Sequence, residues 1–383
     1  MSKIITYHFS EDFIEKTAQY MVDNCRGADK GFDRTAVVFG GKRPALFLKQ
    51  ALARKLQCGF ASAHFFAVDD FVRHIVSRQE HITRIRDMEA CYAVYSLARK
   101  HAPQILKTRE TFAEFLPWAR EIISFIDQLD LGAVSRERLL NIEMNAEIGY
   151  EVPPAVNILL GNIVFLRERY HEKMREEKKY SRGLLYLSAA RQCPGVSLEE
   201  FDHIIFCNFF DLHETEKQII KRYYDSAQAV LLFQKDGQDW PKLNELAEYF
   251  GAEIEPRSGL AARPHIQLYA GFDTHSQASI VREILTTIKD KDRTVIVLPQ
   301  ADSMVPLLSE ISSFAGDYNV SMGYPVRRST LYSLLNAVNR AQKTRKKNEY
   351  YCRDYLAVIM HPLFKNLVFR NDPAVTRVLV HKI

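Results

Sequence analysis

Residues 35–44 read TAVVFGGKRP, and this stretch predicts how the amino-terminal half of the chain folds. The apolar, β-branched run 35–39 is typical of a short buried strand. Two glycines end the run, and residues 45–56 then carry apolar side chains at helical spacing. Pro44 suits the first turn of that helix, where its missing N–H costs nothing. Strand, glycine turn and helix form the opening unit of an α/β fold of the nucleotide-binding kind.

Further strand patterns extend this unit. Short apolar runs at 65–68, 203–207 and 229–233 predict strands, and the last two flank a helical pattern at 214–224. Such a βαβ arrangement predicts parallel strands that are buried on both faces. We expect 35–39 and 203–207 to lie in one sheet. The region between them has helical periodicity almost throughout, so we expect no strand within 71–180 and a helical insertion outside the sheet.

A second set of α/β patterns follows the period-free stretch 251–264, which predicts a linker. Strands are predicted at 266–269, 294–298 and 318–321, and helices at 277–288, 303–314, 329–342 and 349–360. The fold class is therefore α/β, with two mostly parallel lobes and a large all-α insertion in the first. The predicted domains are 1–70 plus 191–260 for the first lobe, 71–190 for the insertion and 265–383 for the second lobe.

Composition narrows the class of protein. The chain has 383 residues, 47% of them hydrophobic, and its six cysteines are scattered without CxxC pairs. No apolar run approaches the ~18 residues of a membrane span, which predicts a cytoplasmic protein with reduced thiols and no bound metal. Residues 341–383 carry nine Lys/Arg against three Asp/Glu, so they hold a charge of +6 while the rest sums to −1. A basic tail indicates an anionic partner, most commonly nucleic acid.

One phrase resembles a known family. Residues 318–325 read YNVSMGYP, with TLYSLL at 330–335, and looser matches lie at 68–71, 207–216 and 355–362. The phrase resembles one in the B subunit of the AddAB (RexAB) helicase–nuclease family, where it opens the latter part of the second motor-like domain. The residues that carry the match are Asn319, Ser321, Met322, Gly323 and Pro325.

This resemblance implies two RecA-like lobes of an inactivated superfamily 1 helicase, followed in the family by a PD-(D/E)XK nuclease. The nuclease signatures are absent from this sequence. The resemblance therefore implies a truncated chain whose second lobe is only begun, and a full-length exodeoxyribonuclease that holds its Mg²⁺ in the missing domain. Whether the chain is itself an enzyme stays open, and no cofactor is expected in it. The implied partners are DNA, as single strands or duplex ends, and an AddA-like helicase subunit.

The residues of an ATPase site are missing. A P-loop reads G-x-x-x-x-G-K-[ST], and its backbone N–H groups and hydroxyl hold the phosphates and Mg²⁺. Here Gly41 and Lys42 are preceded by Ala36 in place of the first glycine and followed by Arg43 in place of the hydroxyl residue. After the strand 203–207, Asn208 stands where a helicase has an acidic pair. These two losses predict a chain that neither binds ATP tightly nor hydrolyses it, and that has no catalytic residue.

Candidate DNA contacts come from basic residues near glycines and helix starts. We predict that eight basic residues bind phosphate, although charged residues on an ordinary exposed surface would give the same pattern. They are Lys42, Arg43, Arg327, Arg328, Lys343, Arg345, Lys346 and Lys347. Tyr350 and Tyr351 are candidates for base stacking, or are ordinary core or surface tyrosines.

Three functions compete. The leading hypothesis is an ATPase-dead, helicase-like scaffold of a double-strand-break repair exonuclease that binds the DNA backbone. The alternative is a protein-interaction module that docks a partner helicase subunit. The sequence argues against the third, an active ATP-dependent helicase.

Overall fold

A computed structural model of the chain describes residues 3–27, 31–140, 154–235, 240–254, 265–368 and 373–382. With 58% of the residues helical and a central parallel sheet of five strands, the protein is mixed α/β. The chain divides into two units, Met1–Arg263 and Pro264–Ile383.

The first unit is built on the five-stranded sheet. Its strands, β1, β2, β3, β6 and β7, span Ile4–Tyr7, Thr35–Phe39, His64–Ala67, His203–Cys207 and Ala229–Gln234. They lie in the order β1-β7-β6-β2-β3, and every neighbouring pair is parallel. β2 pairs directly with β6, from Thr35 opposite His203 to Phe39 opposite Cys207. This confirms the prediction that these distant segments share a sheet. All of β2 is buried, which explains its lack of charged residues.

Helices cover both faces of this sheet and form a separate layer beside it. In the first unit α1 to α10 span Phe13–Asn24, Arg43–Leu56, Val68–Ser77, Asp87–His101, Phe112–Leu131, Arg136–Leu140, Pro154–Glu176, Arg182–Gln192, Glu214–Asp225 and Pro241–Phe250. α2 carries Pro44 in its first turn, as predicted. α4, α5 and α7 share an apolar core of their own around Val94, Phe115 and Tyr170. α3 and α8, within the segment predicted as the insertion, instead pack into the core of the sheet.

One expectation for the helical segment was wrong. Two short strands, β4 (Thr83–Arg84) and β5 (Lys179–Tyr180), pair in parallel and form a second sheet within 71–180. The two segments lie side by side. Their pairing gives hydrogen-bond partners to backbone N–H and C=O groups that lie outside the helices. Two-residue strands carry too little pattern to be seen in a sequence. The helicase-like interpretation excluded strands within 71–180, so β4 and β5 count against it. Apart from these strands and the connecting turns the region is helical where described, and β4 and β5 do not join the five-stranded sheet.

The extended regular elements of the second unit are all helices among its described residues. Its helices, α11 to α16, span Thr274–Thr287, Met304–Ile311, Thr330–Thr344, Cys352–Ile359, Pro362–Lys365 and Pro373–Lys382. The strands predicted at 266–269, 294–298 and 318–321 are not formed: their backbone pairs with no strand among residues 265–368 and 373–382. Leu268, Val295 and Val297 are at least 80% exposed. An apolar run becomes a strand only when a neighbour takes its hydrogen bonds, and here none of the described residues does.

Candidate nucleic-acid interface

The carboxyl ends of β2 and β6 meet at a topological switch point. From β2 the chain passes through α2 to β3 on one side, whereas from β6 it passes through α9 to β7 on the other. Ligands of open α/β sheets bind in the crevice outside such a point. Residues 40–42 follow β2 and residues 208–213 follow β6, so the predicted Lys42 site and Asn208 belong to one crevice.

The glycine loop of this crevice has no cradle for phosphate. Neither Gly40 nor Gly41 adopts a left-handed φ, and a Cβ on either would meet nothing within 4 Å. Phosphate-binding nests require backbone N–H groups that converge through alternating right- and left-handed residues. The Lys42 ammonium lies 3.3 Å from a carboxylate oxygen of Asp70, and its side chain is 82% exposed. Arg43 begins α2 and is exposed.

Side-chain amides occupy the place of the acidic pair. Asn208 has a φ of 56°, and its Oδ1 accepts a hydrogen bond from the backbone N–H of Gln234 at 2.9 Å. Its Nδ2 donates to Oε1 of Gln234 at 3.3 Å. The Asn208 side chain therefore ties the end of β6 to the end of β7. Asp211 points to solvent, and the Lys242 ammonium 3.0 Å away lowers the pKa of its carboxyl. Among the described residues no three His, Cys, Asp or Glu side chains are grouped to hold a metal.

In the second unit, Arg327 and Arg328 precede α13 as predicted. They lie in the short 3-10 helix Val326–Arg328, and the Oγ of Ser329 caps α13 by accepting from the N–H of Tyr332 at 3.2 Å. Arg328 pairs with Asp302 at 2.6 Å. No carboxylate of the described residues pairs with Arg327.

The predicted basic cluster is a tight turn after α13. Lys343 lies in the last turn of the helix, and Lys346 and Glu349 form an isolated antiparallel bridge. The guanidinium of Arg345 donates to the carbonyl of Lys347 at 2.7 Å and lies 5.5 Å from the ring centre of Tyr350. Within the described part of the chain, no carboxylate pairs with the ammonium groups of Lys343, Lys346 and Lys347. These three cations are therefore available to an external anion.

Tyr350 and Tyr351 lie beside this turn and are not core residues. Their side chains are 38% and 54% exposed. Tyr350 also contacts Tyr355, with ring centres 5.9 Å apart. The rings are accessible, as base stacking requires.

α13 separates the two basic groups. Its 15 residues place Arg327 and Arg328 at one end and the 343–347 turn at the other, about 22 Å apart at 1.5 Å per residue. The contacts predicted as one region are therefore two patches at opposite ends of a helix. The family-like phrase lies before the first patch, where Asn319, Ser321, Met322, Gly323 and Pro325 are in irregular backbone. A Cβ at Gly323 would meet nothing within 4 Å, so the space around this residue is open.

Arg84, Arg120 and Arg182 also come together, although nothing in the sequence singled them out. They line one cleft of about 320 Å³ in the first unit. Their sequence spacing gives no signal, because only the packing of the helical layer joins them.

No family model matches the chain, and no curated protein is significantly similar to it. In the described part of the chain, no helix has both the length and the apolar character of a membrane span.

Proposed function

We propose that the protein is an ATPase-dead, helicase-like scaffold of a DNA-repair exonuclease, and that it binds DNA through the phosphate backbone. The observation that carries this proposal is the crevice between β2 and β6. It lies where α/β nucleotide sites lie, yet it offers a loop without a nest and an Asn208–Gln234 amide pair in place of carboxylates. The loop 40–43 has no hydroxyl residue for Mg²⁺, and the described residues contain no group of three His, Cys, Asp or Glu that could hold a metal.

The second unit is proposed as the counterpart of the family's second motor-like domain on the phrase 318–325 alone, because its described residues form no sheet. The family's nuclease and AddA-like helicase are proposed as partners of the whole protein. In this proposal the protein acts in the cytoplasm. Its own contribution is to hold DNA, without ATP turnover and without a cofactor in this chain.

The DNA-binding surface is proposed to be the 343–347 turn with its neighbouring tyrosines. Three ammonium groups that pair with no carboxylate of the described residues, and two exposed aromatic rings, meet the two needs of single-strand binding, which are phosphate attraction and base stacking. Binding of this kind addresses phosphates and is independent of base sequence.

The test is a titration of labelled oligo(dT) against the intact chain and a variant with Lys343, Arg345, Lys346 and Lys347 changed to Ala. We expect the variant to bind more weakly, with a salt slope reduced by about 0.7 log units for each phosphate that the turn no longer neutralises. The matched control changes four exposed cations of the first unit, Arg99, Lys100, Lys107 and Lys178, to Ala. Equal affinity and slope in wild type and the 343–347 variant would show that the turn is a solvated surface.

A protein-interaction role is the second candidate, and exposed apolar residues favour it. Leu331 and Leu335 are 55% and 53% exposed one turn apart on α13, and Leu363 and Leu367 follow at 42% and 53%. Protein interfaces bury side chains of this kind. Changing Leu331 and Leu335 to Gln, which adds no charge near the basic patches, is expected to leave DNA affinity nearly unchanged while it abolishes binding to a partner helicase subunit. A fall in DNA affinity together with the failure of partner binding would argue against separate surfaces.

A further inference from the structure

We propose that the cleft lined by Arg84, Arg120 and Arg182 is a phosphate-binding site. This inference rests on the proposed function and extends it, because it adds a second contact surface in the first unit.

Three separate elements supply the arginines. Arg84 belongs to β4, Arg120 to α5, and Arg182 is the first residue of α8. The cleft between them has a volume of about 320 Å³, at the lower end of the ~300–1,000 Å³ of small-ligand sites. Ile85, Ala90 and Cys91 form a buried apolar floor. Guanidinium groups are suited to such a place because their planar fork binds phosphate oxygens in pairs.

Two carboxylates line the cleft, and one of them is already engaged. Asp127 Oδ1 accepts hydrogen bonds from Ser181 Oγ at 2.7 Å and from the backbone N–H of Gly183 at 2.9 Å. Burial raises the pKa of the Asp127 carboxyl above its ordinary value. Asp87 lies in the first turn of α4 and has no ion-pair partner among the described residues, so the cleft combines three guanidinium groups with one unpaired carboxylate.

Only one of the three arginines has an ion-pair partner among the described residues. Arg182 Nε lies 3.1 Å from Asp69 Oδ1, which Tyr186 also contacts through its hydroxyl. Arg84 and Arg120 pair with no carboxylate and donate no side-chain hydrogen bond within the described ranges. Two guanidinium groups with uncommitted donors therefore face one cleft, and a phosphate is the ligand that matches them.

A line of polar contacts connects the cleft to the glycine loop. Lys42 lies 3.3 Å from Asp70, and Asp70 in turn lies 3.2 Å from Arg73. Arg73 Nε donates to the hydroxyl of Tyr180 at 2.8 Å, and Tyr180 is the strand partner of Arg84. Lys42 and Arg73 share the Asp70 carboxylate, so this path carries paired charges, and the two uncommitted guanidinium groups lie at its cleft end. The nucleic-acid backbone is proposed as the source of the phosphate, and a free nucleotide is the alternative that the experiment distinguishes.

The experiment measures oligo(dT) binding and its salt dependence with the intact chain and the double variant Arg84→Gln/Arg120→Gln. Both side chains are exposed, so circular dichroism should show an unchanged fold. We expect a salt slope smaller by about 1.4 log units, for two phosphate contacts at ~0.7 each on a single strand. The control variant, Arg99→Gln/Arg138→Gln, makes the same charge change at exposed arginines outside the cleft, and should keep the wild-type slope.

The outcomes separate this inference from the proposed function. If the wild type binds oligo(dT) and the cleft variant has the same slope, or if the cleft and control variants reduce the slope equally, the cleft proposal fails and the scaffold proposal stands. If the wild type binds no oligonucleotide, the scaffold proposal fails. In that case, broadening of the ³¹P NMR lines of inorganic phosphate and dTMP tests whether the cleft binds phosphate. Broadening that the Arg84/Arg120 variant abolishes supports the site, and broadening that the variant leaves unchanged, or none with wild type, overturns it.

Discussion

Asp130 is the centre of a buried ionic cluster between α5 and α7. Its side chain is fully buried, and Oδ1 accepts from Nε of Arg167 at 2.7 Å while Oδ2 contacts Nε2 of His171 at 2.8 Å. Arg167 also donates to the carbonyl of Val134 at 2.7 Å. Both carboxylate oxygens of Asp130 therefore have partners on α7.

Removing the shared carboxylate should be costly. Asp130→Ala leaves Arg167 buried without its partner, so we expect the free energy of unfolding to fall by about 3–5 kcal/mol. Urea denaturation followed by circular dichroism measures this. The control, Glu168→Ala, breaks the exposed pair with Arg136 and should cost less than about 1 kcal/mol. An Asp130 variant within about 1 kcal/mol of the Glu168 variant would mean that water reaches the site.

At the scale of elements, α5 and α8 approach each other most closely at Gly183. A Cβ on Gly183 would lie 2.6 Å from both Cα and O of Asp127, which are backbone atoms that cannot rotate away. Glycine is therefore required by the helix contact, although its φ is ordinary.

Gly183→Ala should destabilise the first unit by about 1–3 kcal/mol, because the two helices must move apart. The matched control is Gly161→Ala on α7, where a Cβ meets nothing within 4 Å. There the change should stabilise the helix by up to ~1 kcal/mol. Thermal unfolding of both variants gives the comparison, and opposite signs are the expected result. Equal stability of the Gly183 variant and wild type would contradict the tight contact.

The elements also show what a pattern can and cannot predict. The run 35–39 was predicted as a strand, and it forms one because β6 and β3 flank it on both sides. The run 294–298 has a similar composition, but no described segment pairs with it. The periodicity of a segment indicates which backbone conformation that segment favours. Whether the segment forms a strand also depends on a hydrogen-bonding partner elsewhere in the chain. The two-residue strands β4 and β5 were missed for the same reason.

At the scale of the whole molecule, the two units differ in their cores. The first unit has one large apolar cluster on each face of its sheet and a third apolar cluster in its helical layer. The described core of the second is a small cluster around Leu285, Leu307 and Ile311. The candidate site was predictable only where charges are adjacent in sequence, as at 343–347. The three cleft arginines are far apart in the chain, so only the fold could join them.

This difference predicts that a fragment of residues 1–263 folds alone. We expect it to unfold in one cooperative urea transition and to keep the midpoint that the first unit has in the intact chain. Trp118 and Trp240, the two tryptophans of the sequence, both belong to this unit and report on it by fluorescence. A fragment without a cooperative transition would mean that the second unit is needed for the fold.

The most direct test of the central claim is the salt dependence of oligo(dT) binding by the intact chain, with and without Mg²⁺–ATP. A phosphate-binding scaffold without a nucleotide site predicts a linear fall of log K with log salt, steeper than about −2, and the same line with ATP present. A flat line would contradict backbone binding. A shift that Mg²⁺–ATP causes equally in the wild type and in the Arg84→Gln/Arg120→Gln variant, at constant free Mg²⁺, would contradict the inactive crevice between β2 and β6.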